Sequence, residues 1–306
     1  MTIVYVISGI LLLYIGAELL VRGGSNFALR LGIPQIIIGL TIVAFGTSVP
    51  ELVVSIVSGL KGLGDVAVGN VVGSNIFNVG MILGFTALIY PIKVSKSVLK
   101  FDIPFLTLIS LLLWFFMKDN YISRFEGIIM TILFLFYIFY TLRSIKHHKK
   151  EKIPPKIKGN MTFDIIFIII GLALLVFGSE ILVKGVVNLA RLLHISEAII
   201  ALTIVAAGTS FPELATSIIA AIKKQDDIVT GNIIGSGIFN IIAILGISSL
   251  ITPLKIVNIR LIDILFMVGT TLMIIPVMIT GMKITRIEGL LLFISYIAYI
   301  AILWPH

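Results

Sequence analysis

An eleven-residue stretch that carries a carboxylate through apolar sequence occurs twice in this chain. Thr41-Ile-Val-Ala-Phe-Gly-Thr-Ser-Val-Pro-Glu51 returns as Thr203-Ile-Val-Ala-Ala-Gly-Thr-Ser-Phe-Pro-Glu213, identical at nine of eleven positions at an offset of 162. Other anchors keep that offset. Gly16-Ala-Glu18 matches Gly178-Ser-Glu180, and Gly69–Asn78 matches Gly231–Asn240. Pro91 matches Pro253, and Arg124, Glu126 and Gly127 match Arg286, Glu288 and Gly289. The chain reads as an internal duplication whose remaining residues hold two polar breaks face to face.

Composition says where such a chain lives. It has 306 residues, 58% hydrophobic and 12% charged, far from the roughly one-quarter charged residues of soluble domains. Apolar runs of about 20 residues read as membrane spans. Ten are expected, roughly at 3–21, 35–59, 66–90, 101–117, 125–142, 163–183, 197–221, 228–252, 260–280 and 287–304. The first has no basic residue before it and reads as a retained span rather than a signal peptide. The runs are too long and too uniformly apolar for barrel strands. The expected fold is an all-α membrane protein of ten transmembrane helices. Residues 1–142 and 163–306 form two five-helix repeats, joined by a basic linker at 143–162. Five is odd, so the repeats should be inverted relative to each other across the membrane. Sixteen of the 23 basic residues fall on the linker side, seven of them in the linker itself. By the positive-inside bias the linker is cytoplasmic and both termini are extracellular, in a multi-pass protein of the cell membrane.

Several functions are disfavoured. Cysteine is absent, and the four histidines lie in polar or terminal segments, so a buried zinc site has no ligands. The net charge of +8 is concentrated in the linker and suits anionic lipid, not nucleic acid. No nucleophile–base pair or His–Glu ligand set is visible, so no enzyme and no cofactor is expected. The lipid bilayer is the expected partner, with no obligate protein partner.

Glu51 and Glu213 fall about halfway along their spans, where an ionised carboxylate costs at least a few kcal/mol. No Lys, Arg or His lies in the membrane core to pair with them. A structural ion pair or a protonated, cross-bonded glutamate is the alternative to an external cation as partner. The neighbours favour the cation. Pro50 and Pro212 each lack an N–H and free a carbonyl near Gly46 and Gly208, so a broken helix should expose carbonyl oxygens beside each acid. Thr47, Ser48, Thr209 and Ser210 add hydroxyls. Ser74 and Asn78 are four residues apart and share a helix face, as do Ser236 and Asn240. Gly73, Gly80, Gly235 and Gly237 read as packing glycines. Every donor atom is oxygen, which suits a hard cation; Ca2+ takes about 6–8 oxygens. Two carboxylates match one divalent ion, and Na+ can use the same oxygens. Glu18 and Glu180, each four residues before Arg22 or Lys184, read as structural helix-surface ion pairs. Arg124/Glu126 and Arg286/Glu288 read as span-boundary pairs.

The doubled Gly-Thr-Ser-x-Pro-Glu segment, followed 27 residues later by the Asn of Gly-Ser-x-Ile-Phe-Asn, resembles the α-repeats of the Ca2+/cation antiporter superfamily. Within it the chain resembles a prokaryotic Na+/Ca2+ exchanger, over essentially its whole length. The resemblance implies a secondary antiporter that extrudes Ca2+ on the Na+ gradient by alternating access, near three Na+ per Ca2+, with spans 1 and 6 sliding across the remainder. It implies Glu51, Glu213, Thr47 and Thr209 as Ca2+ ligands. For Na+ it implies the same four with Ser74, Ser236 and the carbonyls of Ala44 and Ala206. Asn78, Asn240, Ser48 and Ser210 would line the cavity. The proton-coupled branch typically has Gly-Asn-x-x-Glu at the Gly46–Glu51 motif, which weakens the rival reading of H+/Ca2+ or broader divalent-cation antiport. A cation channel is a further alternative, although channels usually build a filter from symmetric subunits. K+-dependent relatives carry Asp where this chain has Asn240, which argues against K+ cotransport.

Overall fold

A computed structural model describes residues 2–148, 160–193, 206–279 and 281–303. The chain is helical almost throughout. Helix α1 spans Thr2–Leu31. A bent pair follows, α2 at Gln35–Thr47 and α3 at Val49–Leu60, with 46° between them. Then come α4 (Gly64–Ile89) and α5 (Val98–Asp119), α6 (Arg124–His148) and α7 (Met161–Leu192). The second half continues with α8 (Ala206–Gly208), α9 (Phe211–Ile222), α10 (Asp226–Ile251), α11 (Leu261–Ile279) and α12 (Arg286–Leu303). Among the described residues seven helices are long and apolar enough to cross a membrane, eight with the bent pair counted as one. Helix α9 and the apolar part of α11 are shorter. Residues 197–205, assigned to the seventh expected span, lie outside the described residues, as do linker residues 149–159.

Two long helices, α1 and α7, pack along each other through glycine. Gly9, Gly16 and Gly23 recur every seven residues in α1, and Gly171, Gly178 and Gly185 do the same in α7. A Cβ on Gly16 would stand 2.9 Å from the Gly171 carbonyl oxygen, and one on Gly171 would stand 2.7 Å from the Leu20 nitrogen. The backbones therefore approach more closely than any side chain allows, the usual solution where lipid offers no hydrophobic drive for helix pairing. At the linker end Arg30 of α1 pairs with the buried Asp164 of α7. At the opposite end a cleft of about 360 Å³ opens between the helices, lined by Tyr5, Lys184, Asn188 and Arg191 among others.

The halves interdigitate. Helix α6 of the first half packs on α10 of the second, and α12 of the second packs on α4 of the first. Two small antiparallel ribbons join the halves: β1 (Ile92–Lys93) with β4 (Lys283–Ile284), and β2 (Tyr121–Ile122) with β3 (Leu254–Lys255). These pairings are too short to leave a sequence pattern.

Three expectations about surface residues change. Glu18 pairs with Lys223, just beyond α9, at 2.5 Å, and not with Arg22, whose guanidinium lies over the Phe167 ring. Among the described residues no ion pair joins Glu180 to Lys184. Long side chains on α1 reach across to neighbouring helices instead of along their own. Glu126 and Glu288 bond the backbone N–H and hydroxyl of Ser123 and Thr285, closing the capping boxes that start α6 and α12. Of the packing glycines, Gly80 faces Tyr296, Gly235 faces Ala44 and Gly237 faces Asn75, but a Cβ on Gly73 would meet nothing within 4 Å.

Candidate functional site: a buried carboxylate pair wired across the two halves

The break that sets each glutamate is a local consequence of proline. Ser48 (φ −84°, ψ 8°) and Ser210 (φ −91°, ψ 7°) stand between two helical pieces, and Pro50 and Pro212 occupy the first turn of the piece that follows. There a missing N–H costs nothing. The missing bond would have gone to the carbonyl four residues back, Gly46 or Gly208. Ser179 of α7 donates its hydroxyl to the Gly208 carbonyl at 2.5 Å. The matching residue in α1 is Ala17, which has no hydroxyl to offer. Gly46 and Gly208 also make room for α7: a Cβ on either would collide with Leu172 or Val183 respectively.

Each break places a glutamate in the first turn of α3 or α9, and both side chains are fully buried. Their hydrogen bonds cross between the halves. Ser210 donates to Glu51 Oε1 at 2.9 Å, and Ser48 donates to Glu213 Oε1 at 3.0 Å. Ser210 also lies 3.2 Å from Ser74. Thr209 lies beside Glu51, while Thr47 and Ser236 lie beside Glu213. The two acids thus belong to one buried network, each held by a serine of the other half. The second carboxylate oxygen of each, Oε2, is buried with no hydrogen-bond partner among the described residues. The same holds for both amide atoms of Asn78 and of Asn240. Those asparagines sit in π-helical turns at Phe77–Leu83 and Phe239–Ile244, a feature common at functional positions in helices.

These contacts bring Thr47, Ser48, Glu51, Ser74, Ser210, Glu213 and Ser236 together, and the turns that carry Asn78 and Asn240 pack against α9 and α3. Thr47, Ser48, Glu51, Ser74, Asn78, Ser210, Glu213, Ser236 and Asn240 are all buried, with Thr209 half-buried beside them. Ala44 is buried and its carbonyl accepts from Ser236 at 3.4 Å. Ala206 opens α8, and its backbone alone is described. The acids face no open water; they are enclosed, away from the cleft at the end of α1 and α7.

Two residues at the heart of this network carry no separate weight in the sequence reading. Asn70 of α4 donates to the Glu51 carbonyl at 3.1 Å and to Ser55 Oγ at 3.0 Å. Asn232 of α10 donates to the Glu213 carbonyl at 3.2 Å and to Ser217 Oγ at 3.0 Å. The signal was present: Asn70 and Asn232 match at the offset of 162 inside the repeated Gly69–Asn78 motif.

Buried oxygens left without partners are costly, because desolvation is not repaid by a bond. Here they occur in duplicate, on both glutamates and both asparagines, among the described residues. The fold and the cluster define a multi-pass helical membrane protein with an enclosed, oxygen-lined acidic centre. Comparison with known proteins gives the family. The profile of the sodium/calcium exchanger protein family matches residues 1–143 and 163–304. CaxA of Alkalimonas amylolytica, a candidate antiporter, is 38% identical, with 97% of this chain and 96% of that one aligned. The sodium/calcium exchanger MaX1 of Methanosarcina acetivorans is 31% identical, again over 97% of this chain and 96% of its own. A solved structure of the sodium-calcium exchanger NCX_Mj superposes with a TM-score of 0.86 at 32% identity, covering 99% of each chain. The chain belongs to the sodium/calcium exchanger family.

Proposed function

We propose that this protein is a secondary antiporter that moves Ca2+ out of the cell against Na+ entry, near three Na+ per Ca2+, by alternating access. One observation carries the reading: among the described residues Oε2 of Glu51 and of Glu213 and both amide atoms of Asn78 and Asn240 are buried without a partner, on α3 and α9 and on the π-helical turns that pack against them. Two carboxylates in a dry centre need positive charge to be stable. One Ca2+ or several Na+ can supply it, through Glu51, Glu213, Thr47 and Thr209. Ser74, Ser236 and the carbonyls of Ala44 and Ala206 serve Na+ in addition. Asn78, Asn240, Ser48 and Ser210 line the centre.

The architecture in this proposal is ten spans in two inverted five-helix repeats, 1–142 and 163–306. The linker at 143–162 is cytoplasmic and the termini extracellular. Matching element bounds support it: α3 and α9, and β1 and β3, each recur at the offset of 162. Charge neutralisation gives the coupling. An empty centre with two net negative charges crosses the membrane poorly, so the reorienting form is the one filled by either ion. That is exchange rather than leak.

The test is 45Ca2+ uptake into vesicles with Na+, H+ and K+ gradients imposed separately. Uptake should require an opposing Na+ gradient. It should fall at least about a hundredfold in Glu51→Gln and in Glu213→Gln, as expected when a transported ion loses a charged buried ligand. Uptake driven by a pH gradient alone would move the reading to H+/Ca2+ antiport. Full activity in either Gln variant would remove the carboxylates from the mechanism.

A further inference from the structure

We infer that Asn70 and Asn232 are positioning residues that fix which way the Thr209 and Thr47 hydroxyls point, and so make those oxygens available to a cation. The inference rests on the proposed exchange reading of the centre.

It starts from hydrogen-bond accounting. A side-chain amide has two N–H donors on one atom and one acceptor oxygen on the other. The Glu51 and Glu213 carbonyls can only accept, so Nδ2 of Asn70 and Asn232 must face them, as found. The second N–H of each is taken by Ser55 or Ser217. Both donors are then committed within the asparagine's own half. The Oδ1 atom is left pointing across the interface, where Thr209 Oγ1 lies 3.4 Å from Asn70 and Thr47 Oγ1 lies 3.0 Å from Asn232. At those contacts the asparagine has only lone pairs to offer, so the threonine must donate.

A hydroxyl has a single hydrogen. Thr47 Oγ1 has two competing acceptors on its own helix, the Val43 carbonyl at 3.1 Å and the Ala44 carbonyl at 3.3 Å. Back-bonding of that kind is the default for threonine in a membrane helix. Asn232 offers the shortest of the three contacts and draws the hydrogen away. Two consequences follow at once. The lone pairs of Thr47 stay free, and the Ala44 carbonyl, which already accepts the Ser48 N–H at 3.1 Å, is spared a second bond from its own helix. A cation arriving beside Glu213 then meets a Thr47 oxygen whose lone pairs are already free. No reorientation is needed when it binds, which is the preorganisation that gives a dry polar site its strength. The asparagine–threonine contact occurs twice, once in each direction across the interface, at 3.0 Å and 3.4 Å.

The test is direct ion binding to purified protein, by calorimetry and by the rise in thermal unfolding temperature with added Na+ or Ca2+. Wild type is compared with Asn232→Leu, Asn232→Asp, Thr47→Val and the double variant Thr47→Val/Asn232→Leu. Leucine removes the acceptor, whereas aspartate keeps it. Asn232→Leu should weaken Na+ binding about tenfold, the worth of one well-placed hydrogen bond, and more than it weakens Ca2+ binding. The double variant should be no worse than the weaker single variant, because the asparagine acts through the threonine. Asn232→Asp should retain more Na+ affinity than Asn232→Leu. Additive losses, equal losses for the two ions, or unchanged binding in Asn232→Leu would each overturn the inference. If Asn232→Leu does not fold, Asn70→Leu with Thr209→Val repeats the cycle at the twin position. Wild-type protein that binds neither ion would remove the exchange reading and this inference with it. Wild-type binding with additive variants would remove this inference alone.

Discussion

At the scale of single residues, the centre is built so that each half holds the other's acid. Ser48 precedes Glu51 by three residues yet bonds Glu213, and Ser210 bonds Glu51 in return. The bond lengths differ by a tenth of an ångström, so the two contacts should be worth about the same. Hydrogen bonds to charged groups contribute about 1.5–3 kcal/mol. Ser48→Ala and Ser210→Ala should each weaken Ca2+ binding by roughly one order of magnitude, and by similar factors, in an equilibrium titration. A large loss in only one would mean that the two acids are not equivalent. Among the described residues both amide atoms of Asn240 are buried without a partner. Asn240→Leu removes two polar atoms that contribute nothing until an ion or water is present. It should therefore leave the ion-free protein as stable as wild type, or more so, while reducing the stabilisation that Ca2+ brings. Thermal unfolding with and without Ca2+ reads both effects; destabilisation without ion would show that Asn240 is bonded in the resting protein.

At the scale of elements, glycine separates what the sequence discloses from what it conceals. The acidic break was legible because proline, glycine and glutamate are rare together inside an apolar run, and the repeat doubled the signal. The α1–α7 seam was legible in principle, as six glycines at heptad spacing in two matching sets. The contact itself was not, since nothing local says which two helices meet. Gly73 and Gly80 looked alike in sequence, yet only Gly80 has a neighbour close enough to need it. The tyrosine locks were hidden for another reason. Tyr137 donates to Asp102 and Tyr299 to Asp263, each at 3.0 Å. The tyrosines keep the offset of 162, but the aspartates slip by one position, so register matching passes over them. The seam makes a sharp prediction. Gly16→Leu would force a branched side chain against the backbone of α7 and should abolish monodisperse protein in size-exclusion chromatography. Gly73→Ala meets open space and should be neutral or stabilising by about 0.5–1 kcal/mol. Equal tolerance at both positions would mean that α1 and α7 are not in backbone contact.

At the scale of the whole molecule, a duplicated chain is caught in an unsymmetrical arrangement. The α1–α7 pair leans on the second half: α1 packs against α9, and Glu18 reaches Lys223. By the offset of 162 the matching residues are Glu180 and Lys61, and among the described residues no ion pair joins them. Arg30 with Asp164 closes the same end, while the cleft at Tyr5, Lys184 and Asn188 marks the other. On the proposed reading, in which two inverted halves exchange roles, such asymmetry has a meaning. Sliding the pair toward the first half would break Glu18–Lys223 and bring Glu180 to Lys61, opening one end and shutting the other. The bond suits a switch because it is weak. Its partners are 37% and 29% exposed, and pairs that exposed are worth about 0–1 kcal/mol, so neither state is locked. The native chain lacks cysteine, which makes the exchange directly measurable. The double variant Glu18→Cys/Lys223→Cys should be bridged by a short bifunctional thiol reagent with or without ions, and bridging should stop transport. The double variant Lys61→Cys/Glu180→Cys should be bridged only while Na+ and Ca2+ let the protein turn over. If the second pair is never bridged although transport continues, the two halves do not exchange places. The asymmetry would then belong to the resting fold and not to the transport cycle.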